Sequence, residues 1–160
     1  MGVLYDLCRK KDMNTNNQNE LITQCFSHLC VFNLENELLI QRRKEEGESR
    51  NRRWNMTIII SAEVEEPRIN KIQRHVYQQL GIELLPGIKF DRQIRESDNI
   101  KNYYAVKQDM KVNEKTLTHK QWTEMRFVSY EEALQMMRDQ EFTIQDEILL
   151  KHLFDFGKSL

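Results

Sequence analysis

Short runs of apolar residues dominate the first part of the chain and are typical of β-strands. Residues 23–34 form a dense apolar run, a turn signal follows at 35–37, and a second apolar run starts at Leu38. This order predicts a β-hairpin whose second strand ends in Arg42 and Arg43. A third strand is predicted over 54–60, around three consecutive isoleucines.

The hydrophobic period changes to a helical one after residue 66. Apolar residues recur three or four positions apart over 67–80, and Gly81 follows where a helix commonly ends. We therefore predict one amphipathic helix that packs on a sheet. Its apolar face is formed by Ile69, Ile72, Val76 and Leu80.

Further strands and two more helices are expected in the second half. Ser129 followed by Glu132 is a capping-box signal for a helix that runs through Met137. Strands and helices in this order indicate an α+β domain with a mixed β-sheet flanked by helices. The other predicted elements are strands at 88–94, 103–107 and 125–128 and a last helix over 144–156.

The length of 160 residues suits one domain. We predict a short strand and a mobile polar loop over 1–22, followed by a single domain over 23–160. The net charge of -1 argues against nucleic acid as a partner, and no apolar run is long enough to span a membrane. We interpret Cys8, Cys25 and Cys30 as reduced thiols, which favours a cytoplasmic location.

The segment 61–82 resembles the Nudix box, a loop–helix–loop motif read as G-x5-E-x7-R-E-U-x-E-E-x-G-U, in which U is apolar. Glu66, Arg74, Val76 and Gly81 match the motif at the expected spacing. The loop before Glu66 is about two residues short, and the three remaining carboxylate positions hold other residues. These are His75, Gln78 and Gln79.

Other segments in family order are similar to the same superfamily. Residues 32–43 resemble the strand–turn–strand before the box, and 124–132 resemble a late strand that leads into a helix. The resemblance is nearest to the isopentenyl-diphosphate-isomerase-like subgroup. It implies the Nudix fold, an α/β/α sandwich, over roughly 23–156.

In active family members the box glutamates hold divalent cations that bridge a diphosphate. Mg²⁺ prefers anionic oxygen ligands, and at about 4 Å each lost charge is worth about 4 kcal/mol at an effective dielectric of 20. We therefore expect magnesium or manganese to bind weakly or not at all. The remaining candidate ligands are Glu63, Glu65 and Glu66, and Glu124 could reach the cleft from the far side.

The resemblance makes Glu66, Arg74 and His75 the candidate catalytic residues. His75 is read either as a solvent-facing side chain, or as a general acid or base, or as one ligand for a softer metal such as Zn²⁺ or Mn²⁺. Imidazole among neutral amides makes a poor metal site, so the last reading has little support from the residues.

Residues 42–53 carry six basic and three acidic side chains. This segment is either a solvated loop or a phosphate clamp, because guanidinium groups match phosphate oxygens in bidentate geometry. The candidate phosphate ligands are Arg42, Arg43 and Arg53, with Lys44, Arg50 and Arg52 beside them in the sequence.

Two functions are compatible with these residues. The first is a Nudix hydrolase of nucleoside diphosphate derivatives or related diphosphates, whose activity is weak or lost. The second is an inactive Nudix-fold module that binds a phosphorylated small molecule or a protein partner. We expect no membrane partner, and the sequence is compatible with a homodimer.

Overall fold

The computed structural model describes residues 24–45, 53–61, 68–110, 115–118 and 121–160. The strand and polar loop predicted within 1–22 lie outside these ranges. The described elements, in chain order, are β1 (Gln24–Phe32), β2 (Leu38–Glu45), β3 (Ile58–Ser61), α1 (Arg68–Leu80), β4 (Lys89–Glu96), β5 (Asn99–Lys107), β6 (Lys115–Thr118), β7 (Gln121–Val128), α2 (Tyr130–Arg138) and α3 (Glu147–Ser159).

The strands form one mixed sheet in the order β4-β5-β1-β2-β7-β6, with β3 paired to β1. β1 and β5 run parallel, whereas the other described strand pairs are antiparallel. One helix covers one face of this sheet and two cover the other, because each face carries its own apolar cluster. The predicted mixed sheet flanked by helices is confirmed.

The first face of the sheet is covered by α1. Ile72 and Val76 are fully buried and Leu80 is nearly so, while Ile69 packs at the margin of the same cluster. Gly81 ends the helix with a φ of 70°, a left-handed conformation that costs glycine little, and its N–H bonds to the Tyr77 carbonyl at 2.9 Å. The predicted apolar face of this helix is therefore confirmed.

The opposite face is covered by α2 and α3. Ser129 caps α2 by accepting the Glu132 N–H at 3.1 Å, as the capping signal predicts. In α3, Gly157 lies so close to Phe32 that an added Cβ would stand 2.6 Å from the ring. Helix α3 approaches the sheet closely here because this position lacks a side chain.

Several element boundaries differ from the predictions. β6 was not expected, because a short polar edge strand has no strong hydrophobic pattern. The third strand is interrupted, since Trp54 and Asn55 form only isolated bridges before β3 begins. Helix α3 starts three residues later than expected because Asp146 caps it by accepting the Leu149 N–H at 3.0 Å.

The cysteines also differ from the prediction. Cys25 is disulfide-bonded, so the interpretation of all three cysteines as reduced thiols is wrong, whereas Cys30 is free and buried. The cysteine argument for a cytoplasmic location therefore fails, and that location stays a prediction. Among the helices described, none is long and apolar enough to cross a membrane.

Candidate functional site

The helix face that carries the box positions meets the end of β2. His75 and Gln79 are half-buried on one side of α1, with Gln78 exposed beside them. Arg43 reaches this side from β2, and its Nη2 donates to Gln79 Oε1 at 3.4 Å. Lys71 lies one turn before His75 on the same side and is 9% exposed. Two of the replaced box positions are therefore surrounded by basic groups.

The pKa of His75 indicates that the charges around it are positive. Burial lowers the pKa of its imidazole, and the positive charges of Arg43, Lys71 and Arg74 lower it further. All the charges that act on this ring among the described residues are cations. We call the group Arg43, Lys71, Arg74 and His75 the cationic stripe; its three basic residues have further interactions within the protein.

A buried hydroxyl group lies next to the cationic stripe. Thr123 of β7 is the cross-strand partner of Arg43. Met125, two residues further along β7 and therefore on the same face of the sheet, belongs to the apolar cluster under α1. Thr123 is 0% exposed, and its Oγ1 has no hydrogen-bond partner within the described part of the chain. Buried polar atoms are rarely left unpaired, so this hydroxyl suits an ordered water or a ligand oxygen.

Arg42 lies on the other face of the sheet, although it precedes Arg43 directly. It makes an ion pair with Glu124 at 2.9 Å, and its guanidinium stands 4.3 Å from the Trp54 ring centroid. Arg126 approaches the same ring at 5.6 Å. We call these residues the Trp54 cluster: Arg42, Trp54, Glu124 and Arg126.

The predicted site residues are therefore brought together only in part. Arg42 and Arg43 point to opposite faces, as neighbours in a strand must, and Arg53 is exposed at a third place before Trp54. Glu124 was expected to reach the cleft, but it faces Arg42 on the opposite side of the sheet, so that expectation is wrong. Glu63, Glu65 and Glu66 lie outside the described residues.

A divalent cation does not fit the described part of the box. The helix face offers one imidazole and two neutral amides, and the Gln79 oxygen already accepts from a guanidinium. Nearby positive charges oppose a cation at this place. No group of three or more His, Cys, Asp or Glu side chains comes together in the ranges that the structure describes.

Sequence reasoning missed two residues of this site. Lys71 stands four residues before His75, so the helical period alone could have placed it on the same side. Thr123 carried no such signal, because its position beside Arg43 depends on the register between β2 and β7.

The fold and this site define an α/β/α sandwich protein whose helix α1 lies against the end of strand β2. No protein-family model matches the chain. An uncharacterised Nudix hydrolase of Listeria monocytogenes is 28% identical over 116 residues, which cover 72% of this chain and 69% of the relative. A second uncharacterised Nudix hydrolase, from Listeria innocua, is 25% identical over the same shares of both chains.

Solved structures show the same fold. A MutT protein of Methanosarcina mazei matches with a TM-score of 0.57 at 19% identity, over 88% of this chain and 94% of that one. A MutT structure for the Aliivibrio salmonicida and Vibrio cholerae proteins matches with a TM-score of 0.58 at 13% identity, over 82% and 97%. The solved structures show that the chain has their fold, and the two Listeria relatives are similar to it in sequence; membership of the nearer subgroup stays a prediction.

Proposed function

We propose that this Nudix-fold protein binds a small phosphorylated ligand directly at the cationic stripe, without a divalent cation between protein and phosphate. The observation that carries the proposal is the contact of Arg43 with Gln79 beside His75. At the positions where the family motif has carboxylates, this chain places neutral side chains among basic ones. Hydrolysis of the bound ligand is then weak or lost.

The charges support an anionic ligand. Arg43, Lys71 and Arg74 all act on His75, and a phosphate placed there would be attracted by the same three charges. Arg43 offers the planar fork that matches two phosphate oxygens, whereas the buried Lys71 supplies a point charge. A carboxylate-rich site would need metal ions to hold the same phosphate, but this one does not.

The hydrogen-bonding groups support the same conclusion. Because its pKa is lowered, His75 is neutral near pH 7 and offers one donor and one acceptor. Thr123 adds a buried hydroxyl group beside Arg43 that suits a ligand oxygen or a water bound to it. Directed donors next to positive charges are the usual means of binding phosphate without metal.

The second candidate function is a metal-dependent diphosphate hydrolase. The names of the Listeria relatives favour it, as does the resemblance of Glu66 and Arg74 to the family motif. The amide and imidazole replacements oppose it, since they remove three negative charges from the place where a hard cation would bind.

Calorimetric titration with pyrophosphate in the presence of EDTA tests the proposal. Binding should be detectable without metal, and Arg43→Ala should weaken it about tenfold or more, because hydrogen bonds to charged groups are worth about 1.5–3 kcal/mol. Arg95→Ala is the matched control, since Arg95 is an exposed arginine on β4, at the far edge of the sheet. Equal losses in both variants would show that only general charge is involved.

Two further measurements separate the candidate functions. Thr123→Val should lower pyrophosphate affinity with little change in thermal stability, because the hydroxyl has no described partner to lose. Release of phosphate from diphosphates should stay far below an ordinary turnover of about 10 per second with Mg²⁺ or Mn²⁺. Binding that requires metal, or turnover near that value, would favour the hydrolase instead.

A further inference from the structure

Gln79 lies where helix α1 meets the end of strand β2. Its Oε1 accepts a hydrogen bond from Arg43 Nη2 at 3.4 Å, so the contact joins the last turn of the helix to a residue 36 positions away in the chain. Both side chains also have further interactions within the protein. The donor of this contact is a cation, whereas the acceptor is a neutral amide oxygen. Gln79 therefore contacts the guanidinium group without adding a charge beside it.

The neighbouring Arg42 shows what an acidic acceptor does on the other face of the sheet. Glu124 Oε2 accepts from Nε and Nη2 of Arg42, at 3.2 and 2.9 Å, and the carboxylate offsets the charge of the guanidinium group. An amide oxygen accepts the same kind of hydrogen bond but carries no net charge. Gln79 can therefore fix the direction of a guanidinium group without neutralising it.

The positive charge of Arg43 acts on His75, one helical turn before Gln79. Burial is the main cause of the lowered pKa of His75, and the charge of Arg43 is the next. The charges of Lys71 and Arg74 contribute less, although both residues belong to the same helix as His75. Residues four apart lie on the same side of a helix, so the group that Gln79 contacts stands beside the imidazole.

The side chain of an arginine is long, and fixing it in one direction costs conformational entropy. A ligand that meets a guanidinium group already directed towards it avoids this cost. We infer that Gln79 is a positioning residue of the cationic stripe: its amide oxygen directs the Arg43 guanidinium group towards the side of α1 that carries His75 and does not itself cancel the positive charge. The inference rests on the proposed function for the nature of the anion that is bound there, a phosphate group.

Titration of the His75 ring signals by NMR tests the contact in the absence of ligand. Gln79→Met introduces an uncharged side chain of similar length that lacks the oxygen, so Arg43 should lose its direction and the pKa of His75 should rise towards its usual value. Combining Gln79→Met with Arg43→Ala should raise that pKa no further than Arg43→Ala alone, because Gln79 acts through Arg43. Gln78→Met, the same change at the exposed neighbouring position, should leave it unchanged.

Calorimetric titration with pyrophosphate in EDTA measures the consequence for binding. Gln79→Met should weaken binding about threefold or more, and the double variant should bind as weakly as Arg43→Ala alone. Gln78→Met should bind as the parent does, and the melting temperature of Gln79→Met should match that of the parent.

The inference is overturned if His75 titrates in Gln79→Met as it does in the parent, or if the effects of the two substitutions add in the double variant. A parent protein that binds no pyrophosphate in EDTA contradicts the proposed function instead. In that case the His75 titration decides the inference by itself, because it needs no ligand.

Discussion

Arg42 and Arg43 are neighbours in the chain, yet they belong to two different regions. Arg42 in the Trp54 cluster has an acidic partner at 2.9 Å and an aromatic ring beneath it. Arg43 in the cationic stripe meets an amide and lies near two other basic residues and a histidine. The first region neutralises its arginine locally, whereas the second concentrates positive charge beside the family motif.

The two arginines therefore differ in the sign of the charges described beside them. A cation paired with a partly buried carboxylate would have to leave that carboxylate unpaired in order to bind a phosphate, which is costly. A cation among other cations gains when an anion arrives. The histidines of the two faces differ in the same way. Burial is the main cause of the lowered pKa for both His28 and His75. At His28 the charge of Lys101 lowers the pKa further and that of Glu96 opposes it, whereas at His75 the charges described are all cations.

The largest expected effect comes from disrupting the packing of α1, the helix that carries Lys71, Arg74 and His75 of the cationic stripe. Ile72 is fully buried against the sheet, so Ile72→Asp places a charge among apolar side chains and should destabilise the protein by about 4 kcal/mol. Chemical denaturation measures the change. Gln78→Asp, on the exposed side of the same helix, should change stability by less than about 0.5 kcal/mol; comparable losses in both would contradict the assigned faces.

The next effect is a pH dependence that arises on the face of the Trp54 cluster. His28 is buried, stacks on Tyr103 and bonds to Thr57 at 2.9 Å, and burial lowers its pKa to about 4. Since the unfolded pKa is about 6.5, this contribution is complete above pH 6.5 and is lost as pH falls toward 4, up to about 3 kcal/mol. Lys101 acts in the same direction, and Glu96 opposes it.

Denaturation curves between pH 7 and pH 4 for the parent and His28→Phe measure this contribution. The variant keeps a ring against Tyr103 but cannot titrate, so its stability should fall less steeply with acid. Parallel pH curves for the two proteins would assign the acid sensitivity to other groups.

The third effect breaks the Trp54 cluster. Glu124→Ala leaves Arg42 partly buried without its carboxylate, which should cost about 2 kcal/mol of stability in chemical denaturation. Glu132→Ala is the control, because its ion pair with Arg126 is exposed and should be worth less than about 0.5 kcal/mol. If Glu124→Ala is as mild as the control, Arg42 is not neutralised in the way described.

The fourth effect is expected when the carboxylates of the family motif are restored on α1. The triple change His75→Glu, Gln78→Glu and Gln79→Glu restores three carboxylates, which should create affinity for Mn²⁺. At tenfold the dissociation constant, linkage predicts a gain of about 1.4 kcal/mol, or a melting temperature about 4 °C higher. The parent should not shift; a large shift in the parent would show that it binds metal through other ligands.

The smallest expected effect is a change in the pKa of His75 that only one of the two arginines should cause. Arg43→Ala removes one of the cations near His75 and should raise the pKa of that imidazole toward its usual value. Arg42→Ala should leave it unchanged, because Arg42 lies across the sheet. Titration of the His75 ring signals by NMR compares the two variants, and equal shifts would mean that the two arginines act on His75 alike.

Local patterns along the chain determined much of the fold. The period of α1, its end at Gly81 and the cap at Ser129 depend on neighbouring residues, so the sequence predicted them correctly. The start of α3 was placed too early because the helical pattern continues back past Asp146, whose side chain decides the first turn. β6 was missed because edge strands need little apolar character.

The amino-acid sequence by itself determined that His75, Gln78 and Gln79 replace carboxylates on one helix face, because helical spacing follows from the backbone. Only the tertiary structure decided which charges meet that face. Strand register placed Thr123 beside Arg43, and the alternation of side chains sent Arg42 to Glu124 across the sheet. Such contacts join residues about 80 positions apart, and no local pattern encodes their partners.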